Sequence, residues 1–272
     1  MDFDASIILC TVNEIENLPK LVERIENVAK FSYQFVFVDD GSTDGTREYI
    51  LNYCKDHNNA KYIFNDYKRS TLIAEYIGFK NSDGRFLIKL DADLQHPPEK
   101  INEIYENLQN GYDIVVASRY LNHQAKTKRD PVRGVISRVA EELARITLKN
   151  TKKTTDPLSG YFGFRKGLNL PINEKWRGYK ILLYILSANP EAKVKDIPYI
   201  FLEREKGESK IAKGIDFIRI YLTELILAKR IEIRARKLKY NKDLKTNSLF
   251  FVQFLISSFL IAIIMPFIYG FL

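Results

Sequence analysis

Two acidic segments carry the residue types best suited to chemistry. The first, Lys89-Leu90-Asp91-Ala92-Asp93-Leu94-Gln95-His96-Pro97-Pro98, closes an apolar run that begins at Phe86. In an extended chain alternate side chains point the same way, so Asp91, Asp93 and Gln95 are expected to line one side. Three oxygen-bearing groups on one face form a hard-cation site with positions left for phosphate oxygens and water, which suits Mg²⁺ or Mn²⁺. An Asp-x-Asp alone is a weak sign of metal; ending a buried strand and leading into Gln-His-Pro-Pro, it is stronger. The second segment, Asp39-Asp40-Gly41-Ser42-Thr43-Asp44-Gly45-Thr46, begins like a calcium loop. Leu51 falls where such a loop needs a bidentate carboxylate, so calcium is rejected. Two readings stay open there: a turn and helix N-cap served by Ser42, Thr43 or Asp44, or acids that accept hydrogen bonds from a ligand's ring nitrogens or ribose hydroxyls.

The elements that must position these acids follow from the apolar runs. Turn-bounded runs at Ser6–Cys10, Gln34–Val38, Lys61–Phe64, Phe86–Leu90 and Ile114–Ala117 predict strands. Helical lengths separate them at Leu18–Lys30, Thr46–His57, Leu72–Asn81 and Pro98–Asn110. The alternation predicts parallel βαβ units, in which ligands bind beyond the carboxyl ends of the strands. Both acidic segments fall there. No GxGxxG follows the first strand and no GxxxxGK[ST] occurs, which disfavours a dinucleotide dehydrogenase and a P-loop nucleotidase. There is no internal repeat and no low-complexity stretch.

Composition excludes further classes. With 272 residues, two cysteines and three histidines, the chain is neither a disulfide-built scaffold nor a zinc ribbon. Met1–Cys10 has an acidic start and no basic stretch, so no secretory signal is expected. A net charge of +8 spread evenly would suggest nucleic acid, but eight basic residues and two acids crowd between Lys229 and Lys245, and no nucleic-acid partner is expected. From Leu249 to Leu272 no side chain carries a formal charge. As a helix that stretch would be about 36 Å long, enough to cross a hydrocarbon core of about 30 Å. A basic cluster beside it is what a cytoplasmic boundary carries, so residues 248–272 are expected to span a membrane with the domain on the cytoplasmic side. A buried C-terminal core helix is the alternative. Upstream, Ile215–Ala228 is helical in length, with Asp216, Arg219, Thr223 and Arg230 forming a narrow polar stripe. It suits either a helix lying in the membrane interface or one packed on the domain.

Taken together, these motifs resemble the GT-A glycosyltransferases of the dolichol-phosphate mannose synthase type, in glycosyltransferase family 2. The resemblance rests on Ser6-Ile7-Ile8, Asn13-Glu14, Glu16-Asn17-Leu18, Val38–Thr46, Asp91–Pro98 and Ala117-Ser118-Arg119-Tyr120. It continues through Asp156-Pro157-Leu158-Ser159-Gly160-Tyr161-Phe162, Lys180-Ile181-Leu182-Leu183 and Arg204–Lys210. It implies an α/β, Rossmann-like GT-A domain over 1–210 with a mostly parallel central sheet flanked by helices. Amphipathic interfacial helices and a basic juxtamembrane segment would follow over 211–247, with one transmembrane helix over 248–272. The activity implied is transfer of mannose from GDP-mannose to dolichyl or another polyprenyl phosphate at the cytoplasmic membrane face, with inversion to a β-linked lipid-linked sugar used in protein glycosylation. Carried over by position, Asp91, Asp93 and Gln95 would hold Mg²⁺ or Mn²⁺. Thr11, Glu14, Val38, Asp40, Ala92 and Lys180 would line the nucleotide-sugar pocket. Arg204 and Lys210 would lie on a segment closing over the diphosphate, while Arg119, Arg133 and Ser137 would receive the acceptor phosphate.

The chemistry is coherent on its own terms. A phosphate monoester carries about −1.5 to −2 charge near pH 7, so the acceptor is already a nucleophile and needs no general base. Bringing two anions together is the obstacle, which guanidinium forks and a divalent cation address. Surface charge is the competing reading for Arg119, Arg133 and Arg138. Several positions depart from the family: Cys10 and Val12 replace a proline and a tyrosine beside Thr11, Tyr184 replaces a glutamate after Lys-Ile-Leu-Leu, and Tyr67–Leu72 lacks the usual glycine. The nearest rival is transfer of glucose or another hexose from a UDP donor on the same scaffold. A processive polysaccharide synthase is disfavoured because Trp176 lacks the Gln-x-x-Arg-Trp context. A catalytically silent membrane tether has no need of the three oxygen ligands.

Overall fold

Strands buried on both faces need helices above and below, and the chain supplies one between most successive strands. The computed structural model describes residues 3–65, 70–121, 131–202 and 215–239. In order, the elements begin β1 (Ala5–Thr11), α1 (Leu18–Val28), β2 (Tyr33–Asp39), α2 (Thr46–Asp56), β3 (Ala60–Phe64), α3 (Thr71–Lys80), β4 (Phe86–Lys89), α4 (Lys100–Gln109) and β5 (Ile114–Ser118). They continue with α5 (Pro131–Thr147), β6 (Phe162–Arg165), α6 (Ile181–Ala188), β7 (Val194–Pro198) and α7 (Ile215–Lys239). The strands form one seven-stranded sheet in the order β3-β2-β1-β4-β6-β5-β7. β6 runs antiparallel to β4 and β5, and the remaining pairs are parallel.

Side chains alternate across the sheet into two cores. Ile7, Leu9, Phe35 and Phe37 join α1, α2 and α4 through Leu21, Ile25, Ile50, Ile101 and Ile104. Ile8, Val36 and Val38 join α3, α5, α6 and α7 on the other face. Because β1 lies between β2 and β4, the two acidic segments leave the sheet on either side of the loop after β1. The five expected strands and four expected helices are all present. α4 starts at Lys100 rather than Pro98, because Pro97 and Pro98 form a turn whose carbonyls accept the N–H groups of Lys100 and Ile101.

The C-terminal helix resolves one of the open readings. Tyr221, Leu222, Leu225, Ala228 and Ile231 of α7 are buried in the core beside α6, every residue of which is itself buried. This apolar face is therefore covered by protein and is not the wide lipid-facing side that an interfacial helix would present. Asp216, Arg219, Thr223 and Arg230 are exposed, as the polar stripe requires. No described helix is long and apolar enough to cross a membrane, and the expected span at 248–272 lies outside the described residues.

Candidate active site

The Asp91 segment does not continue as a strand. β4 ends at Lys89, the chain bends over residues 92–94, and Leu94 takes a left-handed φ of 62°. That conformation costs a branched residue about 1 kcal/mol or more and clusters at functional sites. Strict alternation therefore does not place Asp91, Asp93 and Gln95, a correction to the extended-chain expectation. Asp91 keeps 43% of its side chain exposed, while Asp93 is buried and its Oδ1 accepts the Gln95 N–H. Gln95 pairs twice with Leu202: its Nε2 donates to the Leu202 carbonyl at 3.1 Å, and its own carbonyl accepts the Leu202 N–H at 3.0 Å. The atom Gln95 would offer a cation is then Oε1.

Beneath Asp91 lies a buried charge cluster. The Lys89 ammonium sits 2.6 Å from Asp91 Oδ1 and 2.8 Å from Glu75 Oε1. Burial alone would raise the Asp91 carboxyl, but the Lys89 ammonium outweighs it and holds Asp91 well below the usual carboxylate range. Burial disfavours the Lys89 charge as well, and Asp91 and Glu75 overcome it to raise the pKa of the amine. Glu75 is raised, because burial exceeds the help it receives from Lys89. His96 Nδ1 accepts the Asp91 N–H at 3.0 Å, which puts the ring proton on Nε2, and burial drives the ring's pKa down to about 4. Gly160 closes the cluster: a Cβ there would lie 2.9 Å from Asp91 Oδ2 and 3.3 Å from both His96 Cε1 and Lys89 Nζ. Asp91 Oδ2, Asp93 and Gln95 Oε1 are hard oxygen donors and fit Mg²⁺ or Mn²⁺. Among the described residues no group of three or more His, Cys, Asp or Glu side chains gathers as a metal site.

On the other side of β1 the second acidic segment is mostly structural. Asp39 Oδ1 accepts the N–H groups of Gly41 and Ser42 and the Arg47 Nε–H at 2.7 Å. Its Oδ2 accepts the hydroxyls of Thr11, at 3.1 Å, and Ser42. Burial would raise Asp39, but these hydrogen bonds from Ser42, Arg47 and Thr11 lower it. Asp44 Oδ1 takes the Thr46 N–H at the start of α2, but the cap residue itself is Gly45, at a left-handed φ of 97° and with no side-chain cap bond, so the turn holds and capping by Ser42, Thr43 or Asp44 does not. Asp40 accepts a 2.6 Å bond from Asn65, and Glu14 one of 2.8 Å from Asn17. Val38 has no exposed surface, and a Cβ on Gly78 would meet its side chain at 3.2 Å. Its side chain therefore reaches no pocket, and what it contributes is the placement of Asp39 and Asp40. Ala92 is likewise buried.

Arg119 follows β5 and is held by Asp156 in a two-point pair, Nε to Oδ2 at 2.6 Å and Nη2 to Oδ1 at 2.7 Å. Glu141 of α5 lies 3.6 Å from Nη2 and bonds the Tyr120 hydroxyl. Ser137 is half-buried one turn earlier on α5. Lys180 Nζ donates to the Leu158 carbonyl at 3.2 Å; burial, then the nearby Arg119, lowers its pKa. The turn from Asp156 to Gly160 thus links Arg119, Lys180 and Asp91. The Arg133 side chain, Arg204 and Lys210 lie outside the described residues, as do Tyr67, Lys68 and Arg69. Sequence reasoning missed Lys89, Glu75 and Asp156 as partners. Lys89 inside an apolar strand and Glu75 inside an apolar helix were visible as misplaced charges.

Comparison with known proteins places these motifs. The family model described as Glycosyl transferase family 2 matches residues 6–176. A dolichol-phosphate mannosyltransferase of Pyrococcus furiosus is 36% identical over 207 residues, covering 76% of this chain and 58% of that protein. The chain therefore spans little more than half the length of that relative. A dolichol-phosphate mannosyltransferase of Saccharomyces cerevisiae is 30% identical over 240 residues, covering 83% of this chain and 86% of that protein. The fold is shared with glucosyl-3-phosphoglycerate synthase from Mycobacterium tuberculosis, solved with Mn²⁺, UDP-glucose and phosphoglyceric acid. Its TM-score is 0.59 at 14% identity, over 89% of this chain and 81% of that one.

Proposed function

The chain belongs to glycosyl transferase family 2, and we propose that it moves mannose from GDP-mannose to a dolichyl or other polyprenyl phosphate, inverting the anomeric centre. One observation carries the reading: the Asp156–Gly160 turn brings the oxygen donors at Asp91 and the guanidinium of Arg119 to one place. A donor diphosphate and an acceptor phosphate need those two charge types side by side.

In this reading Asp91, Asp93 and Gln95 hold Mg²⁺ or Mn²⁺, which when bound neutralises charge on the leaving diphosphate. Thr11, Glu14 and Asp40 border the nucleotide, with Val38 and Ala92 supporting them from within. Lys180, Arg204 and Lys210 add positive charge along the diphosphate. Arg119, Arg133 and Ser137 take the acceptor phosphate; its own charge makes it the nucleophile, so no side chain has to remove a proton. Asp156 fixes the plane of Arg119, so the guanidinium meets the incoming anion without first being reoriented. The basic residues from Lys229 to Lys245 and the uncharged run after them support a single C-terminal span with this site on the cytoplasmic face.

The test is to offer membranes carrying the protein a panel of radiolabelled GDP- and UDP-sugars and follow label into a lipid-extractable product. GDP-mannose should label the lipid. Tyr184, fully buried in α6 where the family has a glutamate, favours a second reading in which a UDP-hexose is the donor. Labelling from a UDP-sugar alone would replace the first reading with that one.

A further inference from the structure

A carboxylate on α7 reaches the site through the main chain that precedes α6. Glu224 has no exposed surface. Its Oε1 accepts the N–H of Tyr179 at 2.8 Å and of Lys180 at 2.9 Å, the second being the cap residue of α6, whose N–H a helix start leaves without a main-chain partner. The approach is so close that a Cβ on Gly178 would lie 2.2 Å from Oε1, so only glycine fits there. The Gly178 carbonyl in turn accepts the N–H of Leu72 in α3. Residues 178–180 are thus pinned between α7 and α3. The side chain they aim is Lys180, whose ammonium rests on the Leu158 carbonyl within the turn joining Arg119 to Asp91.

Stability alone does not account for this arrangement. Glu224 Oε2 and the Tyr184 hydroxyl are both buried without a hydrogen-bond partner among the described residues. A buried carboxylate with an unpaired oxygen is disfavoured relative to a neutral side chain that makes the same bonds. Nor is Glu224 the hydrogen-bond partner of the Lys180 ammonium, which donates to Leu158 instead.

We propose that Glu224 is a positioning residue for sugar transfer: it fixes the Lys180 ammonium between Asp91 and Arg119 and so couples the C-terminal helix to the reaction centre. The inference rests on the lipid-phosphate reading for what Lys180 contacts. Misplacing a charged group by about 1 Å costs on the order of a hundredfold in rate.

The experiment is a double-mutant cycle on the full chain in membranes, with kcat and donor KM measured for E224A, K180M and the E224A/K180M pair. The donor is whichever sugar nucleotide labels the lipid. E224A should lower kcat/KM about tenfold or more, yet by less than about threefold once K180M is present. E224Q, which keeps an oxygen for both N–H groups, should stay within about threefold of wild type. E224D, which keeps the charge but draws the carboxylate back from both N–H groups, supplies the same cycle should E224A fail to fold. Equal losses with and without Lys180, or an E224Q as impaired as E224A, would overturn the proposal. If the wild-type chain turned over no sugar nucleotide, the functional reading itself would fail. The coupling would then be read from NMR of ¹³C-methylated lysines, the Lys180 resonance being identified by its loss in K180M. A Lys180 resonance displaced by E224A but not by E224Q supports the coupling, and one unmoved by E224A refutes it.

Discussion

Replacing Glu224 with glutamine should remove a pH-dependent penalty from the folded state. Burial pushes the Glu224 carboxyl from 4.5 up to about 7, against the opposing pull of the Lys180 and Tyr179 N–H groups and the Lys180 ammonium and with a small push from Glu75. Between those two values the folded chain keeps a proton that the unfolded chain has released. The contribution of Glu224 to the unfolding free energy therefore falls as pH rises from about 4.5 to about 7, by up to about 1.4 kcal/mol per pH unit, and levels off above. The full penalty is about 3 kcal/mol, and Glu224 has no exposed surface through which solvent would screen it. Glutamine does not titrate, and every other group is common to both proteins. Measured by thermal unfolding in detergent across pH 4.5–8.5, the advantage of E224Q over wild type should grow with pH by about 3 kcal/mol, or roughly 6–12 °C in Tm for a domain of this size. It should reach a plateau near pH 8. A difference in Tm that stays constant across the range would refute the assignment of a raised carboxyl at Glu224.

G160A should abolish transfer and lower stability: a Cβ 2.9 Å from Asp91 Oδ2 pushes the carboxylate out of place for a cation and strains its pair with Lys89, and activity set against a melting curve checks both halves. K89M should destabilise the fold by about 3–5 kcal/mol by leaving Glu75 buried without its cation, and E75Q/K89M should regain most of that, as read by denaturant unfolding. D93A should lose transfer while remaining folded, and full activity of that variant under chelation would remove the metal assignment. Deletion of residues 249–272 should move the protein largely into the soluble fraction on ultracentrifugation while it still glycosylates a short, detergent-dispersed prenyl phosphate; a variant that stays wholly with the membrane would return the anchoring to the preceding segment.

The first 118 residues were legible because each strand there is an apolar run bounded by turn residues and each connection is long enough for a helix. β6 and β7 were not. Phe162–Arg165 is only four residues long and follows directly on the Asp-Pro-Leu-Ser-Gly turn. Val194–Pro198 is an edge strand carrying Lys195 and Asp196, so it shows no apolar run. At the site, residue types were readable and their geometry was not. The alternation assumed for Asp91, Asp93 and Gln95 requires extended backbone, and Leu94 breaks it. Glu224 lay within a helix legible as amphipathic, but its contact with the chain before α6 is made across 44 residues of sequence.

The buried cluster under Asp91 has a physical rationale that no single pair supplies. An ammonium alone at 2.6 Å would cancel Asp91 and leave it little attraction for a second cation. Glu75, at 2.8 Å on the same ammonium, divides that charge between two carboxylates. The three groups together then keep one negative charge when all are ionised, and Asp91 carries the part of it nearest solvent. Lys89 in this way fixes the Asp91 carboxylate without neutralising it. An apolar pair at positions 75 and 89 would pack as well and cost less desolvation, but it would leave Asp91 unanchored. The same logic applies to Arg119: Asp156 immobilises its guanidinium, and the adjacent Lys180 returns positive charge to the place where a phosphate would arrive. Each pair gives up net charge for fixed position, and each has a neighbour that restores the charge. That combination is what a site for two anions and a divalent cation requires, because electrostatic stabilisation is largest where the dipoles and charges need not reorganise as the reaction proceeds.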